Sequence, residues 1–101
     1  MPLKSWRINL GEFQIVVTRH TEKGVLVDFL VALLAWTGSK WECITRYDCA
    51  HGFAHRDVIG ERGGVLYKQP FPGLSYAQVF DYALLDFQKS YEAHLQFFRA
   101  N

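Results

Sequence analysis

The 101-residue chain carries 11 basic and 10 acidic side chains, a formal net charge of +1, which excludes a surface built mainly to coat nucleic acid or anionic membrane but leaves room for a local basic site. Half of the residues are hydrophobic, so the chain can bury one real core without disulfide or metal staples, and its length leaves no room for a second domain. Disorder is excluded on the same ground, and residues 1–101 are read as a single domain.

Two cysteines, Cys43 and Cys49, are too few for a secreted disulfide scaffold and do not have zinc-ligand spacing. The N-terminal run Met1-Pro2-Leu3-Lys4-Ser5-Trp6 lacks the apolar stretch of a signal peptide. The most apolar run, Val25 to Trp36, is about half as long as a membrane-spanning helix needs and contains Asp28. The expectation is a reduced, cytoplasmic protein with no membrane association.

In chain order, the β-branched run Phe13 to Thr18 and the polar, glycine-ended stretch Thr21-Glu22-Lys23-Gly24 predict a hairpin. Its second arm, Val25 to Trp36, sets Val25, Val27, Phe29, Val31 and Leu33 on one face and Leu26, Leu30, Leu34 and Trp36 on the other. So long an apolar run also suits a helix, but its β-branched start and flanking turns favour a central strand covered on both sides. With one helix to cover one face, the other face is expected to meet a second subunit.

Thr37-Gly38-Ser39-Lys40 forms the next turn. Trp41 to Tyr47 then places Trp41, Cys43, Thr45 and Tyr47 on one side of a strand, with Arg46 and Asp48 on the other. Arg56 to Ile59 and Val65 to Lys68 flank Gly60-Glu61-Arg62-Gly63-Gly64 as a second hairpin, which Pro70, Pro72 and Gly73 end.

Ser75 with Gln78 three residues later matches a capping box. Beyond it Tyr76, Val79, Phe80, Ala83, Leu84, Phe87, Tyr91, Leu95 and Phe98 recur at helical steps, with Asp81, Lys89, Glu92 and Arg99 left for solvent. The expected fold is therefore α+β: an antiparallel β-meander of four or five strands with one long C-terminal helix, Ser75 to Arg99, packed on one face.

Chemistry concentrates in the segment from Arg46 to Asp57, which holds two of the four histidines, two arginines and two aspartates between apolar stretches. Titratable groups gather where a site must bind, move protons or hold charge, because burying them unpartnered is costly. Two histidines, His51 and His55, supply a general acid and a general base, Asp48 orients one of them, and Arg46 and Arg56, with Tyr47 and Asp57 beside them, engage an anionic substrate. That is the equipment of metal-independent RNA phosphodiester cleavage, in which the 2′-hydroxyl is the nucleophile and no cofactor is needed.

Two other readings use the same residues. Two imidazoles and two carboxylates suit a zinc or other divalent site, though the spacing is less specific than that of an established metal motif. Alternatively the loop is structural, with Asp48 capping a turn, an arginine paired to Asp57 and both histidines bonded to backbone carbonyls. Elsewhere, His20 and His94 read as surface or edge residues, and Trp36, Trp41 and Tyr47 as core or interface aromatics rather than base-stacking platforms. Cys49 lacks the surroundings of a nucleophile, and Arg62 and Lys68 read as solvated turn charges.

The run Arg46-Tyr47-Asp48-Cys49-Ala50-His51-Gly52-Phe53-Ala54-His55-Arg56-Asp57 resembles the signature of an uncharacterised family of small bacterial and archaeal proteins of this size. Through Arg46, Tyr47, Asp48, Ala50, His51 and His55 it is also similar to the R-Y-D-x-A-H-x-x-x-H pattern of TumE-type toxins from toxin–antitoxin pairs. That resemblance implies a toxin-like role on RNA, neutralised by an antitoxin-like partner protein. A nontoxic relative that keeps the loop for ligand binding fits the same residues. An interaction module, homodimeric through its apolar sheet face, is the alternative from a different functional class.

Overall fold

The computed structural model describes residues 2–101, in which six antiparallel strands precede one helix: β1 (Leu3–Asn9), β2 (Phe13–Glu22), β3 (Val25–Trp36), β4 (Trp41–Asp48), β5 (His55–Gly60), β6 (Gly64–Pro70) and α1 (Tyr76–Ala100). Strand order in the sheet follows chain order, so the sheet is a meander. The α+β class and the capped C-terminal helix agree with the sequence reading. The strand count does not: there are six strands rather than four or five, and β1 is the unforeseen one.

β1 is an edge strand with almost every residue exposed, in which only Ile8, opposite Ile15, packs against the core and polar pairs supply the other side-chain contacts to β2. The Ser5 and Thr18 hydroxyls lie 3.1 Å apart and Arg7 donates to Gln14 at 2.9 Å, which are cross-strand neighbours of the kind that stabilise a half-solvated sheet. At the β2–β3 turn, Lys23 and Gly24 both have positive φ, at 51° and 77°. This is the backbone that a two-residue hairpin requires.

β3 is a strand, and its two faces have different fates. Phe29, Val31, Leu33 and Ala35 meet Phe13, Ile15 and Val17 of β2 and Val79, Phe80, Ala83, Phe87 and Phe98 of α1 in the core. Burying a side chain such as Phe87 contributes roughly 1.5–3 kcal/mol. Leu30, Ala32 and Leu34 line the opposite face, which no helix covers. The Ser75 capping box is complete, with Gln78 N donating to Ser75 Oγ at 3.1 Å and Ser75 N to Gln78 Oε1 at 2.9 Å. From that start α1 packs across β3, β4 and β5.

Two expected face assignments fail: in β3 a register shift beyond Asp28 packs Leu26 against the core and leaves Val25 and Val27 exposed rather than beside Phe29, and the second lies in β4. Thr45 pairs with Leu33 but Cys43 pairs with Leu34, so Ile44 is an extra residue in the ladder, a β-bulge that resets the alternation. Cys43 and Thr45 therefore lie on opposite faces. Trp41 falls on the uncovered face beside Trp36, their rings edge to face at 5.6 Å.

Candidate functional site

Beyond the bulge β4 alternates regularly, and that alternation divides the chemically loaded segment. Directly opposed residues in an antiparallel pair share a face. Arg46 opposes Asp57, Asp48 opposes His55, and Asp57 opposes Lys68 of β6. These five residues sit together on the open face. Tyr47 opposes Arg56, and both project to the helix side. The sequence reading placed Arg46 and Arg56 at one phosphate; the register sets them on opposite faces.

On the open face the centre is Asp57, with a side chain only 1% exposed. Its Oδ2 accepts from Arg46 Nε at 2.8 Å and its Oδ1 from Lys68 Nζ at 2.8 Å. Burial alone would raise the carboxyl's pKa, but the bonds from Lys68 and Arg46 outweigh it and hold the pKa below its ordinary value. Burial likewise works against the Arg46 charge, and the bond to Asp57 overcomes it, leaving the guanidinium pKa raised.

His55 is sealed beneath this pair, with no exposed surface. Its Nδ1 lies 3.1 Å from the Phe53 carbonyl, an acceptor, so Nδ1 carries a hydrogen. Its Nε2 faces Asp48 Oδ1 at 3.0 Å, Asp57 Oδ1 at 3.4 Å and Lys68 Nζ at 3.4 Å. Neither ring nitrogen is open to substrate. Asp48, His55 and Asp57 each offer a ligand atom, all within 4.8 Å of one another, and among the described residues they are the group able to hold a metal ion.

The loop between β4 and β5 carries the other histidine. Asp48 Oδ1 accepts from Ala50 N at 3.1 Å and tightens the turn. His51 follows with φ at 70°, a left-handed conformation that costs a non-glycine residue roughly 1–2 kcal/mol. It is exposed, and its ring lies 6.4 Å from that of His55 in a stacked orientation. The two imidazoles are thus neighbours of unlike character, one in solvent and one enclosed.

A cleft of about 260 Å³ adjoins Asp48 and is lined by Leu3, Thr18, His20, Asp28, Phe29, Leu30, Asp48 and Ala50. His20 opposes Asp28 across β2 and β3, so it belongs beside the candidate site rather than at an unrelated edge. Cys49 Sγ donates to Asp28 Oδ1 at 3.1 Å. Burial and that bond push the thiol up to about 11, which removes Cys49 from consideration as a nucleophile. Lys68, read from sequence as a solvated charge, is part of the cluster.

On the helix side, Tyr47 is 1% exposed, with its ring stacked on Phe71. Its hydroxyl donates to Asp86 Oδ2 at 2.7 Å, and His94 Nε2 donates to the same oxygen at 2.9 Å. Burial, then the bond to Asp86, raises the phenol's pKa, while the bonds from His94 and Tyr47 overcome burial to lower the pKa of Asp86. Tyr47 is closed to substrate. Arg56 donates to Thr45 Oγ1 at 3.1 Å and to Gln69 Oε1 at 3.2 Å, a stitch across three strands. Asp86 had no signal in the sequence beyond its place in the helical pattern.

Among the described residues, no helix is long and apolar enough to cross a membrane. Neither the curated proteins nor the solved structures contain a match to this chain. The family described as Domain of unknown function (DUF7718) matches residues 1–101, and the chain, with its six-stranded meander and its polar cluster on the open face, belongs to that family.

Proposed function

We propose that the open sheet face binds the phosphates of single-stranded RNA and cleaves the chain there, a ribonuclease-like and toxin-like role. The observation that carries this reading is the buried Asp57 carboxylate, which grips Arg46 and Lys68 by one nitrogen each. Both cationic side chains remain 40% exposed. Arg46 has further N–H donors, and Lys68 further ammonium hydrogens, to offer a phosphate without giving up Asp57. Anchoring from behind removes much of the entropy that two long side chains lose on binding.

The acid–base work falls to His51, the exposed histidine. It takes the 2′-hydroxyl proton as that oxygen attacks phosphorus, then returns it to the departing 5′-oxygen, leaving a 2′,3′-cyclic phosphate and a 5′-hydroxyl. His55 becomes a positioning residue that holds Asp48 and the loop. The test pairs binding with cleavage. A 2′-deoxy oligonucleotide should bind in a salt-dependent way, and Arg46→Gln or Lys68→Gln should each weaken it and reduce the log–log salt slope by about 0.7. His51→Ala should keep binding and lose cleavage of RNA. Absence of salt-dependent binding by the folded protein overturns the reading, and growth inhibition on expression, relieved by an antitoxin-like partner, tests its toxin-like part.

A second reading, homodimerisation through the same face, is supported by the exposed Trp36–Trp41 pair and by half-buried Val16, Leu30 and Leu34 on a side without a helix. Sedimentation at several concentrations tests it. Trp41→Lys should shift a dimer to monomer, and a single monomeric species in the unsubstituted protein ends the idea.

A further inference from the structure

We infer that Asp48, His55 and Asp57 form a binding site for a first-row divalent metal ion such as Zn2+ or Mn2+, with the Lys68 ammonium as the cation that holds its place in the metal's absence. This goes beyond RNA binding and does not depend on it.

Donor spacing is the first support. His55 Nε2 lies 3.0 Å from Asp48 Oδ1 and 3.4 Å from Asp57 Oδ1. Ligands about 2.1 Å from one ion are separated by roughly 3.0 Å when cis in an octahedron and by roughly 3.4 Å in a tetrahedron. Both distances from the imidazole nitrogen already match those that one shared ion imposes, and all three donor atoms lie within 4.8 Å of one another. An imidazole with two carboxylates suits zinc or manganese, whereas calcium and magnesium prefer all-oxygen shells.

The surroundings agree with the spacing. His55 is turned by the bond from its Nδ1 to the Phe53 carbonyl, the outer contact that fixes a ligating histidine and directs its Nε2 to a metal. On both carboxylates, Oδ1 faces His55, while Oδ2 faces Arg46, at 2.8 Å for Asp57 and 3.7 Å for Asp48. Arg46 thus bonds Asp57 and lies near Asp48 from the Oδ2 side without occupying the site, while the Oδ1 atoms that face His55 accept from Ala50 N on Asp48 and from Lys68 on Asp57.

Lys68 marks where positive charge belongs. Its Nζ is 2.8 Å from Asp57 Oδ1 and 3.4 Å from His55 Nε2, within reach of two of the three donors. It comes from edge strand β6 and is 40% exposed, so it can move into water at little cost. Asp57 and His55, both fully enclosed, cannot. The competing account is a His55 held in place only by Asp48 and the Phe53 carbonyl, with Lys68 permanently on Asp57.

The deciding experiment is calorimetric titration of the chelator-treated, full-length protein with ZnCl2 and with MnCl2, in the absence of RNA. The expected result is one ion per chain and a rise in thermal midpoint with metal concentration. Lys68→Gln should tighten binding about tenfold or more, because it removes a like charge next to the ion. Asp48→Asn should abolish it, with circular dichroism confirming the fold. No binding by either the unsubstituted protein or Lys68→Gln overturns the inference. So does binding that survives Asp48→Asn, or that His20→Ala or His51→Ala removes.

Discussion

Two networks on opposite faces of the sheet are each built around a histidine–aspartate contact and have different properties. Under α1, Tyr47, Asp86 and His94 meet at a single carboxylate oxygen, and each is enclosed or nearly so. On the open face, Asp48, His55 and Asp57 meet Arg46 and Lys68, whose remaining donors lie at the surface. The helix-side network ties strand to helix through one shared carboxylate oxygen and presents no cationic donor at the open sheet face. The open-face network keeps its core sealed and presents unspent hydrogen-bonding capacity to solvent. Histidine and aspartate in proximity do not separate structure from function; spare donors at an accessible face do.

The largest expected effect sharpens that contrast. Asp86→Ala leaves the buried Tyr47 hydroxyl and His94 without their shared acceptor, at an expected cost of about 3 kcal/mol, or roughly 12–24 °C in thermal midpoint for a domain of this size. Where the variant is folded, RNA binding should be unchanged. A variant as stable as the parent, or one with weakened RNA binding at low temperature, would break the distinction between the two networks.

Asp57→Asn ranks next. Breaking a buried ion pair by removing one partner costs about 3–5 kcal/mol. Because Arg46 and Lys68 are 40% exposed, water takes up much of the lost partnership, and about 1–2 kcal/mol is expected in denaturant unfolding. Here binding should suffer as well, since the two cations lose their common anchor. Stability and RNA affinity falling together in this variant, and apart in Asp86→Ala, is the pattern that the two faces require.

That contrast was partly legible in the sequence. The capping box and helical period located α1, and the alternation of Arg46, Tyr47 and Asp48 already placed Tyr47 on the other side. The same logic applied to β5 separates Arg56 from Asp57, because Val58 is a core residue and Arg56 shares its face. The bulge at Ile44 leaves no mark in composition, so the face of Trp41 was not readable. Nor was β1, where Trp6 and Ile8 are too short an apolar alternation to mark a strand and polar residues fill the rest. Lys68 joined the site through β5–β6 register, which a glycine-rich turn of uncertain length conceals.

A smaller effect comes from pH. The folded-state pKa of Asp57 and that of Asp86 both lie below the ordinary value of 3.8, so between the folded and unfolded pKa values the unfolded chain binds more protons. Stability therefore rises with pH in that window: the contribution is complete above the unfolded value and disappears as pH falls through the folded one. Acid unfolding should become less steep in Asp57→Asn. An unchanged acid limb would show that the open-face carboxylate is not depressed as its partners require.

The smallest effect has the opposite sign. His51 occupies a left-handed backbone position at φ 70°, followed by Gly52 at φ 85°, and its exposed side chain makes no hydrogen bond among the described residues. Glycine there relieves backbone strain but adds freedom to the unfolded chain, so His51→Gly should stabilise the protein by no more than about 1 kcal/mol in denaturant melts. A strained histidine whose removal improves stability is retained for what it does, not for what it holds together. If His51→Gly is more stable and no longer cleaves RNA, the exposed imidazole is the working one. If it is less stable, His51 supports the loop, and the open face then resembles the helix side more than its spare donors suggest.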